Sequence, residues 1–241
     1  MMNEHYIYRC RDKDSLRRTW KQKKADAWFS ESEWAVYPGF RDKTRREEWL
    51  LGRFLAKQLI LEHLDAGAGA GEPLALSVHP AEIQVYSRSG MGRSTPPRVF
   101  INGRLLNWSL SIAHSKQSVL VALSKKPGTA IGADIEFLCP QTPGFSAIWL
   151  TPAEQTWVHN QGKPHLVSML WAVKEAAYKA ININREFIPR QIEVHFYKPG
   201  DCRLILAGKK LAQEHHVYTA ELANQAIAIV TIAANEGEGS P

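Results

Sequence analysis

Ile131-Gly132-Ala133-Asp134-Ile135-Glu136 lies just past the middle of a 241-residue chain and reads as a strand with two opposed faces. Side chains at i and i+2 of a strand share a face. Asp134 and Glu136 therefore point one way, and Ile131, Ala133 and Ile135 the other. Neighbouring carboxylates repel unless a positive group stands between them. A hard divalent ion such as magnesium would serve, because it takes oxygen ligands and retains waters and substrate phosphates. The pair of acids also fits a solvated edge strand, and this stretch alone leaves both readings open.

Working outward, the next stretch is Trp171-Ala-Val-Lys174-Glu175-Ala-Ala-Tyr178-Lys179. It belongs to a helix predicted over about Leu166–Asn182, with Leu166, Met169, Leu170, Val173, Ala177 and Ala180 as its core stripe. Glu175 and Lys179 are four apart and share a face. They could form a surface salt bridge. Alternatively Glu175 serves a metal or abstracts a proton, and Lys174 and Lys179 meet phosphate. Upstream, Thr151-Pro152-Ala-Glu154 predicts a helix start: Thr151 as N-cap, Pro152 first in the helix, Glu154 closing a capping box. On the other side, Ser109-Leu-Ser-Ile-Ala-His114-Ser115 ends an alternating strand on a histidine beside a hydroxyl, which could offer donors to phosphate.

Further strands are predicted at about Ile83–Tyr86, Val99–Ile101, Leu106–Ala113, Ser118–Ser124 and Ala130–Phe137. Four more close the chain near 191–196, 203–207, 217–222 and 227–233, before a frayed tail at 235–241. Residues 43–64 read as a long helix ending in a glycine-rich run at 65–71. Trp49, Leu50, Phe54, Leu55, Leu59 and Leu61 fall at helical spacing, and Arg46, Arg53 and Lys57 share another face. Gly52 in mid-helix costs about 1 kcal/mol and suggests a close approach by another element. Trp49 and Lys57 are eight apart, as are Trp171 and Lys179, and each helix precedes several strands. That repeat predicts two similar α+β lobes, residues 1–127 and 128–241, with a site between them.

Composition sets outer bounds. With 44% hydrophobic and 22% charged residues, the chain should fold as a packed soluble globule. It has no run of about 20 apolar residues, and its polar start lacks a signal-peptide core. Cys10, Cys139 and Cys202 have no metal-ligand spacing and favour a reducing cytoplasm. The net charge of +6 serves either solubility or an anionic partner: nucleic acid, a phosphorylated small molecule or an acidic protein.

Taken in order, these stretches resemble the 4′-phosphopantetheinyl transferase superfamily, in its larger two-lobed surfactin-type class. The carrying residues are the basic helix Arg45-Arg46-Glu-Glu-Trp49-Leu-Leu-Gly52-Arg53, then His114-Ser115, Gly132-Ala-Asp134-Ile-Glu136, and Trp171-Ala-Val-Lys174-Glu175-Ala-Ala-Tyr-Lys179. They span about residues 45–180. The resemblance implies an α+β fold of two pseudo-symmetric lobes, each a small, mainly antiparallel sheet packed on a long helix. It implies a holo-[acyl-carrier-protein] synthase type of activity, moving phosphopantetheine from coenzyme A to a serine of an apo acyl, polyketide or peptidyl carrier protein. Asp134, Glu136 and Glu175 would bind Mg2+, and Asp134, Glu175 and Lys179 would be catalytic. Arg46, Arg53, Arg93, His114, Lys174 and Lys179 would contact the phosphates of the coenzyme. A cytoplasmic monomer without nucleic-acid or membrane partners is expected. The family's Gly-Arg/Lys-Pro is spread here into Gly92-Arg93-Ser94-Thr95-Pro96. Two other readings of the acids are a metal-dependent nuclease and a catalytically silent carrier-binding module. Against the first, no aromatic stacking platform interleaves a basic groove. Against the second, a silent module has no need of an acidic cluster.

Overall fold

A computed structural model describes residues 6–64, 78–87, 89–90, 93–181, 186–198 and 201–233. The glycine-rich run 65–71, Gly92, the tail 235–241 and the side chain of Arg93 fall outside the described residues. The chain divides into two compact units, Ile7–Lys125 and Lys126–Pro241, the second of which takes in Tyr6.

In the first unit, β1 (Ile7–Asp12) leads into α1 (Lys13–Gln22), α2 (Glu31–Val36) and the long α3 (Lys43–Leu64). Next come β2 (Ile83–Tyr86), the short pair β3 (Ser89–Gly90) and β4 (Arg93–Ser94), β5 (Arg98–Ile101) and β6 (Arg104–Leu105). The hairpin β7 (Ser109–His114) and β8 (Ser118–Ser124) completes the unit. Two three-stranded antiparallel sheets result, ordered β1-β8-β7 and β2-β5-β6. The core gathers Phe54, Leu55, Leu59 and Ile60 of α3 against Val119, Val121 and Leu123 of β8. Gly52 is needed where α3 crosses β7. A Cβ there would lie 2.7 Å from His114 Nε2 and 2.8 Å from Ile112 Cγ2.

The second unit follows the same plan. β9 (Thr129–Phe137) is followed by α4 (Pro143–Trp149), α5 (Pro152–Gln161) and α6 (Leu166–Ile181). Then come β10 (Ile192–Lys198), β11 (Asp201–Leu206), β12 (Lys209–Lys210) and the hairpin β13 (His215–Leu222) with β14 (Gln225–Ala233). The sheets are ordered β9-β14-β13 and β10-β11-β12. Equivalent two-residue turns join β5 to β6 (Asn102, Gly103) and β11 to β12 (Ala207, Gly208), all at positive φ as tight hairpins require. This is the predicted α+β architecture of small antiparallel sheets packed on a long helix.

The repeat is deeper than the Trp…Lys spacing, and its register differs. In the first unit, Ser30 and Glu33 form the capping box of α2, and buried Lys57 of α3 donates to Glu33 Oε2 at 2.6 Å and to the carbonyls of Trp28 and Pro80. In the second, Thr151 and Glu154 form the capping box of α5, and buried Lys174 pairs with Glu154 Oε2 at 2.8 Å and donates to the carbonyls of Pro189 and Ile192. Each glutamate also accepts a strand N–H, from Val85 and Val194 respectively. Lys57 therefore corresponds to Lys174, not to Lys179 as the tryptophan spacing suggested.

Candidate functional site

α6 lies directly on β9. A Cβ on Gly132 would stand 1.9 Å from the Ala176 carbonyl oxygen and 2.6 Å from the Ala180 nitrogen, so only glycine lets the helix come this near. The small residues Ala172, Ala176 and Ala180, four apart, continue that contact along one stripe and are buried. The close fit carries Glu175 and Lys179 over the face of β9 that bears Asp134 and Glu136.

Lys179 Nζ donates to Asp134 Oδ1 at 2.7 Å and to the Ala133 carbonyl at 3.1 Å, and lies 3.8 Å from Glu175 Oε2. Asp134 is only 5% exposed, which departs from the solvent-facing strand expected of paired acids. Its Oδ2 is buried and receives no hydrogen bond from an N–H or hydroxyl donor; the neighbour that can donate to Asp134 is the Glu175 carboxyl when protonated. A buried acceptor without a donor costs about 1–3 kcal/mol. Burial first, then the charges of Asp134 and Glu175, pushes the Glu136 carboxyl up to about 7. Burial, then Asp134, does the same to Glu175, also to about 7, while the Trp171 indole N–H donates to Glu175 and opposes the rise. Burial alone would lower the Lys179 ammonium, but Asp134, Glu175 and Glu136 outweigh it and raise it. One lysine thus faces three carboxyl groups, and the cluster is short of positive charge.

That deficit has a measurable sign. An acid whose folded pKa is raised binds its proton in the native state over a range where the unfolded chain has released it. Glu136 and Glu175 therefore stabilise less as pH rises from the ordinary 4.5 through about 7, and the loss is complete above 7. Without divalent ions, Glu136→Gln is expected to melt a few degrees above the parent at pH 8, roughly 2–4 °C per kcal/mol. The two should coincide near pH 4. Thermal melts across this range would show a slope common to both proteins if Glu136 does not carry the charge strain.

Trp171 is the member of the site that sequence reading passed over. Phe145, Trp149 and Phe187 surround its ring with centroids 5.3–5.7 Å away. Its place four residues before Glu175, on the same helix face, was the available signal. Of the expected phosphate contacts, Lys174 and Arg53 are taken up in the interior, and Arg46 is partly engaged. Lys174 is fully buried in its pair with Glu154. Arg53 is 7% exposed; its Nε donates to the Val85 carbonyl, its guanidinium lies 4.1 Å from the Trp49 ring centroid, and burial draws its pKa down to about 10. Arg46 is half-buried, with Nε and Nη2 donating to the Phe40 carbonyl and its guanidinium over Tyr37. Arg53 ties α3 to β2, Lys174 ties α6 to α5 and β10, and Arg46 ties α3 to the segment before it. His114 stands against Gly52 in the first unit.

The second unit is thus a helix-covered antiparallel sheet with acids and one lysine where helix meets strand. Residues 130–230, most of this unit, match the family model of the 4′-phosphopantetheinyl transferase superfamily. No curated protein matches the chain. Similar solved structures include an ACPS–CoA complex of Chronobacterium ammoniagenes, 17% identical over 45% of this chain and 98% of that one, TM-score 0.36. A holo-(acyl-carrier-protein) synthase from Bacillus anthracis str. Ames in complex with CoA is 24% identical over 44% and 96%, TM-score 0.38. The acyl carrier protein synthase of Mycobacterium tuberculosis is 26% identical over 44% and 97%, TM-score 0.32.

Proposed function

We propose that the chain is a surfactin-type 4′-phosphopantetheinyl transferase, moving the phosphopantetheine arm of coenzyme A onto a serine of an apo carrier protein. One observation carries this reading: the bare, buried Oδ2 of Asp134, next to Glu136 and Glu175, within the stretch that matches the superfamily. An oxygen without a donor among acids that repel one another is the chemistry of a cation site. Among the described residues no three of His, Cys, Asp and Glu already converge on one point. Asp134 would be the fixed ligand, with Glu136 and Glu175, both partly exposed, turning in. Magnesium, when bound, supplies positive charge to the pyrophosphate of the coenzyme as its bond breaks.

The chain's own residues account for the rest. The carrier serine Oγ attacks the phosphorus next to pantetheine, the bond to the bisphosphate oxygen breaks, and adenosine 3′,5′-bisphosphate leaves. Glu175 takes the serine proton, directly or through water. Lys179 presents its remaining N–H to phosphate. His114 and Arg93 stay as phosphate candidates of the first unit. Cys10, Cys139 and Cys202, without metal-ligand spacing, suit a reducing cytoplasm, where we place a monomeric enzyme.

The test is to incubate the protein with coenzyme A, magnesium and apo carriers of fatty-acid, polyketide and peptide type, then weigh the carriers by mass spectrometry. A phosphopantetheine adduct is expected on at least one. No adduct on any would sink the assignment, and cleavage of nucleic acid under the same conditions would favour the nuclease. Carrier binding without a mass change would favour the silent module.

A further inference from the structure

We infer that Lys179 is a specificity-determining residue for the cation: by holding Asp134 Oδ1 it leaves only Oδ2 to the metal, and so favours magnesium over calcium. The inference rests on the cation reading above.

The geometry is direct. Nζ is 2.7 Å from Oδ1 and 3.1 Å from the Ala133 carbonyl, so the ammonium is fixed by strand atoms on both sides of the Asp134 peptide. The Asp134 side chain is about nineteen-twentieths buried and cannot turn out to trade its two oxygens. A cation arriving from the side of Glu136 and Glu175 meets one oxygen of Asp134. Magnesium accepts this, since it takes single carboxylate oxygens at about 2.0–2.1 Å in an octahedron and keeps its waters. Calcium draws on about 6–8 oxygens at roughly 2.3–2.6 Å and readily uses a carboxylate by both. A carboxylate with one oxygen occupied therefore penalises calcium more.

The first unit shows that the tie belongs to the fold. Glu62 stands five residues past Lys57, as Lys179 stands five past its counterpart Lys174. Glu62 is bonded by both terminal nitrogens of Arg9 on β1, the strand that occupies the place of β9 in its sheet. Both units thus bind the long helix to the edge strand at the same step by an ion pair, with the signs exchanged. In the first unit the strand partner is an arginine, and the helix carboxylate is taken up in full. In the second the strand partner is a carboxylate, and one of its oxygens is left over.

Calorimetric titration with magnesium chloride and calcium chloride, without coenzyme, tests the inference on the parent, Lys179→Met and Lys179→Arg. Lys179→Met should bind both cations more tightly, calcium most, so that the magnesium-to-calcium affinity ratio falls about tenfold, the order expected when one close charge contact is removed. Lys179→Arg, which still occupies Oδ1, should keep the parent ratio. If Lys179→Met fails to give a cooperative melt, Lys179→Gln takes its place. An unchanged ratio, or a parent that binds neither cation, overturns the inference. The two readings fail separately: carrier adducts with an unchanged ratio leave the transferase standing, and a shifted ratio without adducts leaves the cation site without that reaction.

Discussion

Asp134→Asn is expected to lower carrier modification by about 10²–10³-fold, the scale seen when a charge-stabilising group is removed from a reacting centre. The substitution keeps shape and volume and alters only charge. Lys179 Nζ can still donate to the side-chain oxygen that takes the place of Oδ1, and it keeps the Ala133 carbonyl. The tie between α6 and β9 therefore survives. The charge that helps push Glu136 and Glu175 up to about 7 is gone. The metal-free variant should consequently melt at or above the parent at pH 8, and magnesium should no longer raise its melting temperature. Activity and melts together decide the matter. Near-normal turnover would remove Asp134 from the site, whereas lost turnover with a collapsed melt would reduce it to a packing residue.

How much was legible in the sequence follows the range of the forces involved. Local signals read true: α3 runs over 43–64 as its periodicity predicts, α5 starts on the Thr151 box, and β8 spans the apolar run 118–124. β1 escaped because it is the edge strand of its sheet. Its charged Arg9, Arg11 and Asp12 hide the alternation, and it reads as a polar terminus. α1 buries only Lys13 and Leu16, too little for a stripe. Ser30-Glu-Ser-Glu33 was a visible capping box of the same form as Thr151-Pro-Ala-Glu154, and matching the two boxes would have set the repeat in its true register. The acids and Lys179 were legible because strand and helix periods place them. The buried fate of Arg53, Lys57 and Lys174 was not, because each finds its partners at positions far along the chain. A lysine on a helix reads as a solvated charge until the glutamate that meets it is known.

Lys174 also separates structure from chemistry, since its neighbour Glu175 is in the site. Glu154→Ala should cost about 3–5 kcal/mol, the usual consequence of stranding one member of a buried ion pair, which lowers the melting temperature by roughly 6–20 °C for a domain of this size. It would leave the fully buried ammonium with only the Pro189 and Ile192 carbonyls, and deprive Thr151 N and Val194 N of their acceptor. Lys174→Met should cost less. Glu154 would keep those two N–H donors, and an apolar chain of similar length fills the space. If Lys174 is structural, Lys174→Met lowers the melting temperature while KM for coenzyme A stays near the parent value at a temperature where the variant is folded. A large rise in KM without loss of stability would return Lys174 to the phosphates. Glu33→Ala in the first unit is the control for the same device. It should destabilise by a comparable amount through Lys57, and leave the pH slope set by Glu136 and Glu175 unchanged.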